Sequence, residues 1–144
     1  MTETAHAADG NPFYAWAKAH PYGIGSLLVA LTLPVHFVLP HDVSVALAAI
    51  MMGMIAGVYF GFALNDGRDT IIGIEMAVMF LFVGAALAGL LINPLIIAGT
   101  YFAHGLWDLA HHRGVSTRMP RFYIPACMIF DWIAAAGLAL IWMM

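Results

Sequence analysis

Unbroken apolar runs are the feature that most limits what this chain can become. Five can be read along it, at 22–39, 43–64, 71–92, 94–111 and 122–144. Each is close to the ~20 residues with which an α-helix crosses ~30 Å of hydrocarbon. A transmembrane β-barrel needs apolar and polar residues in alternation, and these runs are continuous. A soluble fold is excluded by supply: 63% of the residues are hydrophobic and 9% charged, too few polar side chains to clothe a domain. The mean hydropathy of +0.91 agrees. The expected fold is an all-α polytopic integral membrane protein, a five-transmembrane-helix bundle over 22–144 behind a polar tail at 1–21.

Prolines and charges set the expected topology. Pro34 should kink the first run. Read as one helix, residues 71–111 would be ~60 Å long, twice the membrane, so the chain must turn at Asn93-Pro94. With five spans the tail, the 65–70 loop and the 112–121 loop share one side. Those segments hold Lys18, Arg68, Arg113, Arg118 and Arg121, every Lys and Arg present. The positive-inside rule then makes the N-terminus cytoplasmic and the C-terminus external. Residues 1–21 lack the basic start of a cleavable signal peptide. Within them, Asn11-Pro12 reads as an N-cap and first helical position, opening a short interfacial helix with Phe13, Tyr14 and Trp16.

A net charge of −3 with scattered cations offers no basic surface to nucleic acid. Cys127 is the only cysteine, so neither an intrachain disulfide nor a cysteine-built metal site can form. The lipid bilayer is the first partner. A second is expected from Gly53, Gly57 and Gly61, which with Ala49 form a stripe at four-residue spacing. In lipid, small residues drive helix association by letting backbones approach. The stripe can serve packing within the bundle, the favoured reading, or contact with another copy or subunit. Met51, Met52 and Met54 fan around the same helix and read as packing rather than as copper ligands.

The chemistry is concentrated near the end of the chain. His104, Asp108 and His111 fall within about 60° of one another on a helix, with His112 just outside. Asp131 lies in the last run and Glu75 one turn into the third. From the rise per residue, Glu75 and Asp108 should lie ~6 Å deep, and His104 and Asp131 ~12–13 Å deep. Two levels are thus expected: Glu75, Asp108, His111 and His112 nearer the cytoplasm, His104 and Asp131 deeper. Lipid-facing ionisable residues cost at least ~2.5–3.5 kcal/mol each, so they should face one another.

Imidazole and carboxylate are the ligand set of zinc and non-haem iron. The metal candidates are His104, Asp108, His111, His112 and Asp131, with Glu75 as a ligand or general base. A structural network is the competing account, pairing Asp108 with Arg113 and Glu75 with Arg68 or Arg121. A proton relay from His111 through Asp108 to His104 and Asp131 is a third. Haem is disfavoured, because His36, ~21 Å from the inner end of its span, does not match His104 in depth. His36, His41 and Asp42 read as interfacial residues rather than an outer site.

The pattern His104-x-x-Trp107-Asp108-x-x-His111-His112, with Cys127-x-x-x-Asp131 in the next span, resembles a group of small uncharacterised bacterial integral membrane proteins. That resemblance implies a membrane location and no assigned activity; the expected location is a bacterial inner membrane. The histidine string also resembles the boxes of membrane fatty-acid desaturases and hydroxylases, but those enzymes need several boxes, and here Asp108 stands among the ligands. The leading expectation is a metal-binding membrane protein, an oxidoreductase or hydrolase acting on a lipid-soluble substrate. An accessory subunit docking through the glycine stripe is the alternative.

Overall fold

The computed structural model describes residues 11–113 and 117–144, with the Arg113 side chain outside the description. The helices are α1 (Pro12–Ala19), α2 (Pro21–Thr32), α3 (Val35–Val38), α4 (His41–Asp66), α5 (Asp69–Leu91), α6 (Leu95–Arg113) and α7 (Tyr123–Met143). The described residues contain no strand. Four segments are long and apolar enough to cross a membrane: Pro21–Val38, His41–Asp66, Asp69–Leu91 and Tyr123–Met143. The remaining long helix, α6, has 19 residues and carries the His104–His112 polar string, which lowers its apolar content.

The punctuation acts locally as the residues dictate. Asn11 caps α1, its side chain accepting from the Phe13 N–H at 2.9 Å, with Pro12 in the first helical position. Pro34 stands at the break between α2 and α3. The Asn93 side chain accepts from the Leu95 N–H at 2.9 Å and starts α6 just after α5 has ended. Gly67 ends α4 at φ 77°, the left-handed cap that glycine adopts without a Cβ penalty, and returns its N–H to the Ala63 carbonyl.

Helices α4 and α5 pack together, as do α6 and α7; α2 lies along α7, and α5 joins the pairs through α6. Their shared core contains Val29, Ala48, Met52, Ala56, Phe82, Ala86, Ile97, Tyr101 and Leu138. The Tyr101 hydroxyl donates to the Ala48 carbonyl at 3.0 Å, tying α6 to α4. Ile50, Phe80, Leu81, Leu91 and Leu140 are exposed instead. An apolar exterior of this kind suits hydrocarbon, not water.

The glycine stripe does not do what was expected within the chain. A Cβ built on Gly57 or Gly61 meets nothing within 4 Å, and one on Gly53 meets only Val83 at 3.9 Å. Helix α4 instead turns Ala48, Ala49, Met52 and Ala56 inward. Close approach occurs at other glycines. A Cβ on Gly25 would lie 2.1 Å from the Ala126 carbonyl oxygen, so α2 and α7 touch backbone to backbone there. On Gly105 it would lie 2.4 Å from the Trp132 indole nitrogen, a contact that draws α7 against α6 beside His104 and Asp131.

Candidate functional site

Three buried side chains from α6 and α7 meet in the core. His104 Nδ1 lies 2.7 Å from Asp131 Oδ2 and 3.7 Å from Asp108 Oδ1. One ligand atom from each of the three residues lies within 4.8 Å of the others. Asp108 and Asp131 are both 0% exposed. The Tyr59 hydroxyl, from α4, donates to Asp108 Oδ1. Tyr59 and Phe82 stand edge-on to the His104 ring, at 5.3 and 4.9 Å between centroids, which fixes the imidazole in an apolar sleeve.

This arrangement corrects the expected depth of Asp108. It sits with His104 and Asp131, not with the inner group. Helical side chains lean toward the N-terminus of their own helix, so Asp108 reaches back toward the residue one turn before it. Asp108 Oδ2 and Asp131 Oδ1 are buried without a hydrogen-bond partner among the described residues.

A second cluster lies beside the first. Glu75 Oε1 is 2.6 Å from His111 Nε2 and accepts from the Thr117 hydroxyl at 2.5 Å, while Oε2 accepts from the Trp107 indole N–H at 3.3 Å. His111 Nδ1 lies 3.0 Å from the Trp107 carbonyl. A carbonyl can only accept, and a carboxylate already taking two donors does so best from a third N–H. Nδ1 of His111 therefore carries a proton, and the short Nε2–Oε1 contact holds a further proton between His111 and Glu75.

The sequence-derived candidates thus divide. His104, Asp108 and Asp131 come together as one potential centre. His111 and Glu75 also meet, but as partners of each other, with the ring nitrogens of His111 both engaged. His112 is exposed and stands outside both clusters. The expected pairing of Glu75 with Arg68 or Arg121 is not made; Arg68 grips Asp66 at 2.6 Å, and Arg121 is exposed. The suggested Asp108–Arg113 pair lies outside the described side chains. Tyr59 and Thr117 were missed, because a hydroxyl in an apolar run or a loop carries no spacing signal.

At the other end of the bundle, His36 Nδ1 lies 2.9 Å from Ser44 Oγ, which also accepts from the Trp142 indole at 3.0 Å. This ties α3, α4 and α7 together, with His36 buried among them.

The fold and its lipid-suited surface define a helical integral membrane protein with a buried histidine–aspartate cluster. No protein-family model, curated protein or solved structure matches the chain.

Proposed function

We propose that this protein binds a divalent transition metal, zinc or iron, through His104, Asp108 and Asp131, and works as a membrane oxidoreductase or hydrolase on a lipid-soluble substrate. The observation that carries the reading is the pair of unpartnered buried oxygens, Asp108 Oδ2 and Asp131 Oδ1, beside one imidazole. Buried polar groups are paired or coordinate metals, and this donor set suits a metal. Ligand atoms around a tetrahedral zinc stand about 3.4 Å apart, within a side-chain rotation of the spacing here. Such an ion would supply Lewis-acid polarisation of a substrate oxygen. Glu75 is assigned not to the ligand set but, with His111, to holding a proton near the centre: the His111 ring lies 4.9 Å from that of Tyr59, whose hydroxyl reaches Asp108.

That same line of contacts favours a second reading, a proton relay without metal. Metal analysis separates the two. Protein purified without a histidine tag or chelators should carry, or take up, about one divalent metal per chain. His104→Ala and Asp108→Ala should abolish it and Asp131→Asn should weaken it, with the helices still inserted. Wild-type protein that neither carries nor takes up a transition metal overturns the metal reading.

We further propose five membrane crossings with a cytoplasmic N-terminus, in a bacterial inner membrane. The Arg118 N–H donates to Asp66 at 2.9 Å, and Tyr14 meets Phe122 edge to face at 5.4 Å. These contacts gather the α1, Gly67 and 117–122 segments, with Lys18, Arg68, Arg118 and Arg121, at one end. The open Gly53/Gly57/Gly61 face is the proposed seat of a second copy or a partner subunit.

A further inference from the structure

Among the described residues, Tyr59 alone reaches the histidine–aspartate cluster with a hydrogen bond from another helix. It stands on the inward face of α4, where Ala56 and Ala63, about one turn to either side, are small and buried. Small neighbours let two backbones approach, so the phenol can cross from α4 to α6. Its hydroxyl donates to Asp108 Oδ1. Its ring is wedged between those of His104 and His111, at 5.3 and 4.9 Å between centroids, which stops the hydroxyl swinging away. Tyr59 is 2% exposed, so water does not compete for the contact.

A carboxylate with both oxygens free can chelate a cation. The phenol removes that symmetry: Oδ1 is engaged with a proton donor, while Oδ2 has no partner and keeps its lone pairs. An engaged oxygen is the poorer ligand of the two. We infer that Tyr59 is a positioning residue for the metal, holding Asp108 by Oδ1 and leaving Oδ2 as its single ligand atom. The inference rests on the metal reading above and says how that site keeps room for substrate. Zinc centres that act on substrates leave one coordination position open, and chelation by Asp108 would fill it from the protein.

A purely mechanical role for Tyr59 has a matched control. Tyr101 also joins α4 to α6, through its hydroxyl and the Ala48 carbonyl, without a hydrogen bond to the cluster. The full chain, purified without a histidine tag, is titrated with Co²⁺, whose visible bands are strong at tetrahedral coordination and weak at higher coordination. Outer partners of metal ligands contribute about 10–100-fold in affinity, so Tyr59→Phe should bind Co²⁺ about 10–100-fold more weakly. Its bands should also weaken as the freed Oδ1 joins the metal. Tyr101→Phe should lower the unfolding temperature and keep the wild-type affinity and bands. A further measurement needs no variant: infrared difference spectra of wild type with isotope-labelled aspartate, zinc-loaded minus zinc-free. They should show the wide splitting of carboxylate stretches that one-oxygen ligation gives. Unchanged bands in Tyr59→Phe, at whatever affinity, overturn the inference and leave the metal reading standing. Equal effects of Tyr59→Phe and Tyr101→Phe do the same, as do only narrow, chelate-type splittings in wild type. Wild type that takes up neither Co²⁺ nor zinc overturns both.

Discussion

At the scale of single residues, two buried clusters one helical turn apart obey different rules. The Glu75–His111 pair has its hydrogen bonds complete, whereas Asp108 and Asp131 each keep an oxygen without a donor. Truncating one member of a satisfied buried pair strands the other charge, which costs about 3–5 kcal/mol. Glu75→Ala and His111→Ala should each destabilise on that scale, and the double variant should lose much less than their sum; a double-mutant cycle by thermal unfolding measures the coupling. Additivity would show the pair to be inert. On the metal reading proposed above, the His–Asp–Asp cluster should respond to protons instead. Metal ligands bind as neutral imidazole and ionised carboxylate, so lowering the pH should release the metal and raising it should restore binding. Metal retention measured across a pH series, with no loss on acidification, would contradict that ligand set.

Between elements, glycines decide how near the helices come, and the informative ones are isolated. Gly25 lies against the Ala126 carbonyl, so a side chain there must move one backbone from another. Gly25→Leu should cost roughly 1–3 kcal/mol or more of bundle stability, the range of overpacked cores. Gly57→Ala should leave the monomer unharmed, or stabilise it by about 0.5–1 kcal/mol, since the added methyl meets nothing and glycine is a poor helix former. Thermal unfolding in detergent distinguishes the two. If Gly57→Leu converts a larger particle to a smaller one in size-exclusion chromatography without lowering the unfolding temperature, the stripe joins separate chains. Gly105 acts on the site itself: replacing it with valine should push Trp132 and α7 outward, separating Asp131 from His104 and weakening metal uptake ahead of helix insertion.

For the whole molecule, the contacts that bind one end together and the charges gathered there point to the same topology. Reporter fusions at 67–68 and at 117–121 should both lie in the cytoplasm, and one after Met144 outside. Opposite sides for 67–68 and 117–121 would remove the five-span arrangement, because α5 and α6 would no longer form a complete return across the membrane.

How much of this was legible in the residues follows from the range of the forces. Length and hydropathy of a run are local quantities, and transfer to hydrocarbon depends on little else, so the helical membrane character and the Asn93-Pro94 and Pro34 breaks could be read directly. The shared depth of His104 with Asp131, and of Glu75 with His111, was likewise set by the rise per residue. The joining of Asp108 to the deeper level and the arrival of Tyr59 from α4 could not be read, because they depend on side-chain direction and on which faces of separate helices meet. That choice was made by close approach at Gly25 and Gly105, isolated glycines without a periodic signature, while the periodic stripe at Gly53, Gly57 and Gly61 stayed open. In lipid, apolar burial hardly distinguishes one helix face from another, so shape and paired polar groups choose the contact, and both exist only once the helices are together.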